Sequence, residues 1–369
     1  MIYFDNAATT YKKPGNVIRE VNRCIKKYSA NPGRGVHRMS LRASEAVYSA
    51  RERVARFFSV DSPEKVVFTY NTTYALNLAI KTLIKPNSHV IISNLEHNSV
   101  LRPIHKLKTT LGIDYSVFNA MADDPYAEIT SHIRPETQAI VCTAASNVTG
   151  HRLPLDILSD IKKKRNLKLI IDAAQAAGHR RIDLNALSID AFCFPAHKAM
   201  LGIMGTGICL FAEECGGNTL IEGGSGVSSK SLYMPNALPE AVEAGTLGVP
   251  GIVALSEGIA FLEKYGIDEV ERRIHVLTDL MVERLNSIKR VRIVGAEDGV
   301  VSFIIDGAGS EYTAELLDRH GICTRAGLHC SPLAHEALGT LQTGTVRASL
   351  SIFNTEREID SFYRILQKI

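Results

Sequence analysis

Short apolar runs alternate with helical periodicities over the first two thirds of the chain. The runs predict strands at 65–69, 89–93, 139–143, 168–171, 191–194 and 207–211. A helical period lies between several of them, at residues 72–83, in the stretch up to about 111, and at 154–165. Because the predicted strands are apolar throughout rather than alternating, they indicate an α/β fold whose mainly parallel sheet is covered by helices on both faces.

The pattern changes after residue 211. Residues 212–250 are rich in Gly and Pro and carry little periodicity, which is typical of a long functional loop. Long helical stretches follow at about 252–264 and 268–288, and then shorter elements, of which strands at 300–305 and 346–350 are the clearest. A chain of 369 residues has room for about two domains. We therefore predict a large α/β domain and a smaller α+β C-terminal domain, with a boundary near 255–265.

Composition and charge exclude several classes of protein. Hydrophobic residues make up 45% and charged residues 22%, which excludes a disordered or fibrous chain. Lys and Arg number 42 against 39 Asp and Glu, a balance that argues against nucleic acid as the main partner. No apolar run reaches the roughly 20 residues that cross a bilayer, and the start, with Asp5, does not resemble a secretory signal.

The seven cysteines form no CxxC pair, and their number is odd. Six of them, including Cys215, fit apolar segments or helices, as reduced core cysteines do. This pattern predicts a reducing, cytoplasmic location, with no disulfide framework and no structural zinc site. No metal site is therefore expected.

Two ionisable residues follow predicted strands directly. Asp172 ends the run 168–172, where open α/β sheets bind ligands; it is either a helix N-cap or a partner for a cationic ring nitrogen. Lys198 follows the strand 191–194 and precedes the glycine-rich stretch 202–207. A lysine here is either a surface residue or, in a cleft, an amine of lowered pKa that reacts with an aldehyde. Together the two match what pyridoxal phosphate requires.

Further candidates lie at other strand ends. Thr72 and Thr73 begin a predicted helix, whose hydroxyls and free N–H groups suit a phosphate, although a plain helix cap explains them equally well. His97 is either a structural histidine or a ring that stacks on a cofactor and moves protons. Cys330 lies in a loop flanked by Gly and Pro beside a histidine, which favours an exposed thiol that ionises readily over an incidental loop cysteine. Arg347 would either clamp a substrate carboxylate or form a surface salt bridge.

The order of these motifs resembles one known family across essentially the whole chain. The motifs are DNAATT (5–10), NTT (71–73), EHNS (96–99), SNVTG (146–150), DAAQAAG (172–178), HK (197–198), EAGT (243–246), RAGLHC (325–330) and VRAS (346–349). They are similar to those of the cysteine desulfurase and selenocysteine lyase group, within the class V aminotransferases of pyridoxal phosphate fold type I. The resemblance implies an N-terminal arm (1–15) packing with the small domain, a large cofactor-binding domain (16–258) and a small C-terminal domain (259–369).

The resemblance also implies how the cofactor ring is held. Lys198 would be the Schiff-base lysine, and Asp172 would pair with the pyridine nitrogen. Gln175 would reach the ring hydroxyl, and His97 would stack on the ring and take part in catalysis.

The cofactor phosphate would be held by another set of residues. Thr72, Thr73 and His197 would contact it within one chain. Thr246 would reach the phosphate of the neighbouring subunit, which implies a homodimer.

The implied substrate is L-cysteine. Asn147, Arg325 and Arg347 would position it, with Arg347 on its carboxylate, and Asn6 of the arm would face it. Cys330 would be the nucleophile that takes the sulfur as a persulfide and passes it to an acceptor protein, leaving L-alanine.

Departures from the family pattern keep alternatives open. Pro195 and Ala196 replace a usual Ser and Gly before the HK pair, Ile203 and Met204 replace a more polar pair, and Leu328 replaces a His of the SufS-like branch. A selenocysteine lyase, and a pyridoxal phosphate β-lyase or aminotransferase for another amino acid, therefore remain alternatives. A non-catalytic scaffold is disfavoured because Asp172, Lys198 and Cys330 are all present. A nicotinamide dehydrogenase is disfavoured because no GxGxxG opens a helix.

Overall fold

The structure is a computed structural model that describes residues 1–33, 35–213 and 219–368, so that Cys215 lies outside the described residues. Its strands are β1 (Ile2–Tyr3), β2 (Val66–Thr69), β3 (His89–Ser93), β4 (Asp114–Phe118), β5 (Thr137–Thr143), β6 (Lys168–Asp172), β7 (Ala191–Pro195), β8 (Gly207–Phe211), β9 (Val291–Glu297), β10 (Val300–Ile305), β11 (Ile322–Cys323), β12 (Arg325–Gly327) and β13 (Thr345–Ser349). Its α-helices are α1 (Gly15–Lys27), α2 (Arg38–Phe57), α3 (Thr72–Leu83), α4 (Asn98–Thr110), α5 (Pro125–Ser131), α6 (Leu155–Arg165), α7 (Leu184–Leu187), α8 (Val249–Tyr265), α9 (Ile267–Asn286), α10 (Ser310–Arg319), α11 (Pro332–Ala337) and α12 (Glu356–Leu366).

A seven-stranded sheet in the order β2-β8-β7-β6-β5-β3-β4 forms the centre of the larger part. The strands from β4 to β7 pair in parallel, whereas β8 runs antiparallel to both of its neighbours. Apolar clusters cover both faces: one contains Phe58, Phe192 and Phe194, and the other contains Leu76 and Ile92. The predicted α/β fold, with a mainly parallel sheet between helices, is therefore confirmed.

The bounds of β3, β8, β10 and α3 are those that the hydrophobic pattern predicts. The pattern missed β4, which lies at the sheet edge, pairs with β3 and keeps most of its side chains partly exposed. An edge strand buried on one side only has no continuous apolar run, so it carries no such signal.

The C-terminal part contains an antiparallel sheet in the order β12-β13-β10-β9. Phe303, Leu317 and Phe362 belong to the apolar cluster that packs it against its helices. The helix α8 (Val249–Tyr265) runs through the predicted boundary at 258/259 and packs on α1 and α2. The division into residues 16–258 and 259–369 stays a prediction.

The first residues of the chain pair with this C-terminal part. β1 runs parallel to β11, and the Ser349 N–H donates to the Phe4 carbonyl oxygen over 2.6 Å. The arm then crosses to the larger part, where the Thr10 N–H reaches the His197 carbonyl oxygen at 3.1 Å. The arm therefore connects β13 of the small sheet to the segment that follows β7 of the large sheet.

The two parts also meet directly along the segment 146–150. Gly150 has φ +76°, and a Cβ there would lie 1.7 Å from the Glu297 carbonyl oxygen, so only glycine allows this approach. The Ser302 hydroxyl donates to the Val148 carbonyl oxygen at 2.5 Å. This close backbone contact holds the large sheet and the small sheet in one relative position.

The predicted long loop is present in its described portions, 212–213 and 219–248, which contain no helix or strand. Its side chains include Leu232 and Tyr233, which are 99% and 86% exposed. Among the described residues, no helix combines the length and the apolar character needed to cross a membrane.

Candidate active site

The structure brings Asp172 and Lys198 to the same edge of the large sheet. Asp172 is the last residue of β6, and Lys198 follows three residues after the end of β7, the parallel neighbour of β6. Asp172 is 3% exposed, and its Oδ1 accepts the Ala174 N–H at 2.9 Å. The two residues therefore lie at the carboxyl ends of adjacent strands, where the sequence predicts a ligand site.

The charges of the two side chains act on each other. Burial, together with the charges of Arg347 and Arg325, lowers the pKa of Lys198 to about 8. The Asp172 carboxylate opposes this shift. Burial likewise raises the pKa of Asp172, opposed by the Ala174 N–H and by Lys198. A lysine with a lowered pKa is a better nucleophile at neutral pH, because more of it is unprotonated.

His97 caps α4 and faces this edge. Its Nδ1 accepts the Ser99 N–H at 3.0 Å, which assigns the ring proton of the neutral form to Nε2. Burial, together with the charges of Lys198, Arg102 and Arg347, lowers the pKa of His97 to about 4. The ring is therefore neutral at neutral pH.

The beginning of α3 and the ring of His197 offer donors for an anion. Thr72 and Thr73 start the helix, whose cap Asn71 accepts the Tyr74 N–H, and the Thr73 hydroxyl lies 2.7 Å from the Ser99 hydroxyl. The His197 Nδ1 is buried without a hydrogen-bond partner among the described residues. Burial, with Lys198 and Lys13, lowers the pKa of His197 to about 4.

The side-chain amides of two predicted site residues, Gln175 and Asn6, link the N-terminal arm to the rest of the chain. The Gln175 Nε2 donates to the Ala7 carbonyl oxygen at 3.1 Å. The Asn6 Nδ2 donates to the Ser349 carbonyl oxygen at 2.9 Å and to the Asn354 Oδ1 at 3.2 Å. These amides hold the arm in place, while their contacts to cofactor and substrate stay predictions.

Two arginines lie on neighbouring strands of the small sheet. Arg347 is 3% exposed, so it does not form a surface salt bridge; its Nη1 donates to the Asn147 carbonyl oxygen at 2.9 Å. Its Nη2 lies 3.0 Å from the Asp5 Oδ1, and its buried Nε has no hydrogen-bond partner among the described residues. Arg325 is 52% exposed, with its Nη1 3.8 Å from the Asp5 Oδ2.

In the loop that bears Cys330, the cysteine is exposed and hydrogen bonds hold the backbone. The Cys330 carbonyl oxygen accepts the Asn98 N–H at 2.7 Å, and the Asn147 Nδ2 donates to the His329 carbonyl oxygen at 2.7 Å. His329 and Cys330 both have left-handed backbones, with φ of 49° and 60°. Asn98 follows His97 in the chain, so the loop sits next to the edge that carries His97.

Thr246 lies elsewhere within the single chain. It is exposed and lines a hollow with Tyr70, Tyr74 and Gly245, and the lining of that hollow includes neither Asp172 nor Lys198. Its predicted contact with the phosphate of a neighbouring subunit stays a prediction.

The sequence did not predict the contacts between the arm and the segment that carries Lys198, the predicted Schiff-base lysine. The His197 carbonyl oxygen accepts from the Lys13 Nζ at 2.9 Å and from the Thr9 hydroxyl at 3.3 Å, in addition to the Thr10 N–H. It also missed Asp5, although Asp5 opens the DNAATT motif. The Lys-Lys-Pro run after that motif was the available signal for Lys13.

Comparison with known proteins agrees with this geometry. The family described as Aminotransferase class-V matches residues 2–362. The chain belongs to the class-V aminotransferase family. A probable cysteine desulfurase from Methanothermobacter thermautotrophicus is 32% identical over 100% of this chain and 94% of its own length.

Solved structures of the family have the same fold. The cysteine desulfurase of Thermococcus onnurineus NA1, in its apo form, superposes with a TM-score of 0.89 at 30% identity, covering 100% of this chain and 94% of its own. The cysteine desulfurase CsdA of Escherichia coli superposes with a TM-score of 0.90 at 25% identity, covering 99% and 94%.

Proposed function

We propose that this class-V aminotransferase is a pyridoxal phosphate-dependent cysteine desulfurase. It converts L-cysteine to L-alanine, takes the sulfur on Cys330 as a persulfide and passes it to an acceptor. One observation carries this proposal: the Asn98 N–H holds the loop of the exposed Cys330 beside the edge where Lys198, Asp172 and His97 converge.

The residues at this edge fit the cofactor. The buried, unpartnered His197 Nδ1 and the N–H groups at the start of α3 suit its phosphate, together with Thr72 and Thr73. Asp172 suits the pyridine nitrogen, and the lowered pKa of Lys198 suits a covalent link to the aldehyde. When bound, pyridoxal phosphate supplies an electron sink for carbanion chemistry at the substrate Cα.

In this proposal Arg347 binds the substrate and Lys198 transfers its Cα proton. The buried Arg347 guanidinium, braced by the Asn147 carbonyl oxygen, binds the α-carboxylate through its unpartnered Nε. Lys198 would hold the cofactor aldehyde and, when its amine is free, would remove the Cα proton of the substrate and later return it. The neutral His97 ring, with its proton on Nε2, donates a hydrogen bond into the site.

Cys330 receives the sulfur. Its thiolate forms an S–S bond with the substrate sulfur while the Cβ–S bond breaks, and the electron pair of that bond stays with the carbon fragment, which is protonated to alanine. Asn147 braces the loop throughout, because its amide oxygen accepts the Ser331 hydroxyl at 2.7 Å while its amide nitrogen holds His329.

The homodimer, the acceptor and the compartment belong to the same proposal. The exposed Thr246, Leu232 and Tyr233 support a second subunit against the loop 219–248, which would bring Thr246 to its partner's phosphate. The exposed Cys330 supports a protein acceptor that collects the persulfide sulfur. The free cysteines support a reducing, cytoplasmic location.

Product release from a panel of amino acids tests the reaction. We expect the holoenzyme to form alanine with one equivalent of transferable sulfur from L-cysteine, faster than it turns over other proteinogenic amino acids. L-Selenocysteine is the second substrate to compare, because Leu328, 38% exposed, lies near Cys330 at a position where the SufS-like branch has His. Faster alanine release from L-selenocysteine that survives loss of Cys330 would replace this proposal with a selenocysteine lyase.

The lowered pKa of Lys198 predicts how cofactor uptake depends on pH. Only the unprotonated amine attacks the aldehyde, so below a pH of about 8 the uptake rate by the apoprotein should rise about tenfold per pH unit, and above it the rate should level off. Stopped-flow absorbance with pyridoxal phosphate measures this rate. A rate that keeps rising through the ordinary lysine pKa of 10.5 would show that burial does not act on this amine.

A further inference from the structure

The carboxylate of Asp5 lies between the two arginines of the site. Arg325 and Arg347 are directly opposite each other on β12 and β13, so their side chains leave the same face of the small sheet. The Asp5 Oδ1 lies 3.0 Å from the Arg347 Nη2, and its Oδ2 lies 3.8 Å from the Arg325 Nη1. Asp5 thus presents to both guanidinium groups the same chemical group that an amino-acid substrate would bring.

The arm does not depend on this side chain for its attachment. The Asn6 N–H donates to the Ser349 carbonyl oxygen at 3.4 Å, and the Ser349 N–H donates to Phe4. The Asn6 side chain adds bonds to the carbonyl oxygens of Tyr3 and Ser349. Because backbone and amide contacts already hold residues 3–6, the Asp5 carboxylate is available for a role at the arginines.

The charges of Arg325, Arg347 and Asp5 sum to one positive charge, which can neutralise one substrate carboxylate. The two guanidinium groups supply two positive charges, and Asp5 cancels one of them. All three charges act on the pKa of Lys198, which places them around the predicted substrate position. A second substrate carboxylate would enter a partly buried site without a cation to compensate it, and such burial is unfavourable.

We propose that Asp5 is a specificity-determining residue that restricts the site to amino acids with a single carboxylate and excludes dicarboxylic amino acids. This inference rests on the proposed function, in which Arg347 binds the α-carboxylate. The unpartnered Nε of Arg347 allows that carboxylate to bind while Asp5 keeps its contact with Nη2. Arg325, which the second oxygen of Asp5 faces at 3.8 Å, is then the cation that a side-chain carboxylate would otherwise find.

Equilibrium binding of two amino acids to the holoenzyme tests the inference. Absorbance of the bound cofactor is titrated with L-alanine, which has one carboxylate, and with L-aspartate, which has two. In Asp5→Asn, the ratio of the dissociation constant for aspartate to that for alanine should fall at least about tenfold below the wild-type ratio, as the removal of one like charge at close range implies. Asp61→Asn, which makes the same change of charge at a 72% exposed side chain, should leave the ratio unchanged.

The outcomes separate this inference from the proposed function. An unchanged ratio in a folded Asp5→Asn protein, or a wild type that binds aspartate as tightly as alanine, would overturn the role of Asp5. Thermal unfolding checks the fold, and Asp5→Ser, which also removes the charge, should give the same shift if the asparagine variant is unstable. A wild-type holoenzyme that responds to neither alanine nor L-cysteine would instead refute the proposed function.

Discussion

Replacing Lys198 by alanine is expected to remove nearly all turnover of L-cysteine, lowering kcat by about 10⁴-fold, because one amine both links the cofactor and moves the Cα proton. The variant should also lose the long-wavelength absorbance of a lysine-linked cofactor. Asp172, His197 and the start of α3 remain in this variant, so noncovalent cofactor binding should persist. Alanine release and absorbance spectra measure the two effects.

A matched control is Lys106→Ala, which removes an exposed lysine of α4 and should leave both measurements as in the wild type. A Lys198→Ala protein that keeps wild-type absorbance and turnover would show that another amine holds the cofactor. Loss of activity in both variants would point to general instability, which thermal unfolding would reveal.

Replacing Cys330 by serine is expected to lower sulfur transfer from L-cysteine by at least about 10²-fold, because a serine hydroxyl is a far weaker nucleophile toward sulfur than a thiolate. Cofactor absorbance should stay unchanged, because the residues proposed to hold the cofactor include Lys198 and Asp172 but not Cys330. Mass spectrometry after exposure to L-cysteine should find one added sulfur atom on the wild type and none on the variant.

Cys323→Ser provides the comparison for this experiment. Cys323 is partly buried in β11, and its loss should leave the added sulfur atom on Cys330. Undiminished sulfur transfer in Cys330→Ser would refute the assignment of the nucleophile and leave a lyase acting without an enzyme persulfide.

The central sheet was predictable because strands that are buried on both faces are continuous apolar runs in the sequence. β3 and β8 are continuous apolar runs, and the positions of Asp172 and Lys198 directly after such runs predict their meeting at one edge. β4 was missed because an edge strand needs no such run. The sequence also gave no indication that Arg51 pairs with Glu243 of the EAGT motif, an ion pair of two side chains 7% exposed.

The contacts of the arm were beyond prediction for a different reason. Lys13 and His197 are 184 residues apart, and Asp5 and Arg347 are 342 residues apart. No local periodicity or spacing records a contact between two such distant segments. The family resemblance pointed to Asn6 as the residue of the arm that faces substrate, and that role stays a prediction. The bonds of the Asn6 amide to Ser349 and of Asp5 to Arg347 had no local signal in the sequence.

The crossing of the arm from β13 to the His197 carbonyl oxygen has a consequence for biosynthesis. Protein chains emerge from the ribosome with the N-terminus first, and Ser349, which anchors the arm through Phe4, is made 345 residues after Phe4. During translation residues 2–6 therefore lack these partners until the small sheet is made, whereas residues 9–13 can contact His197 earlier. The nascent large sheet can form its strands in the meantime, but its ligand edge is finished only after synthesis passes residue 349.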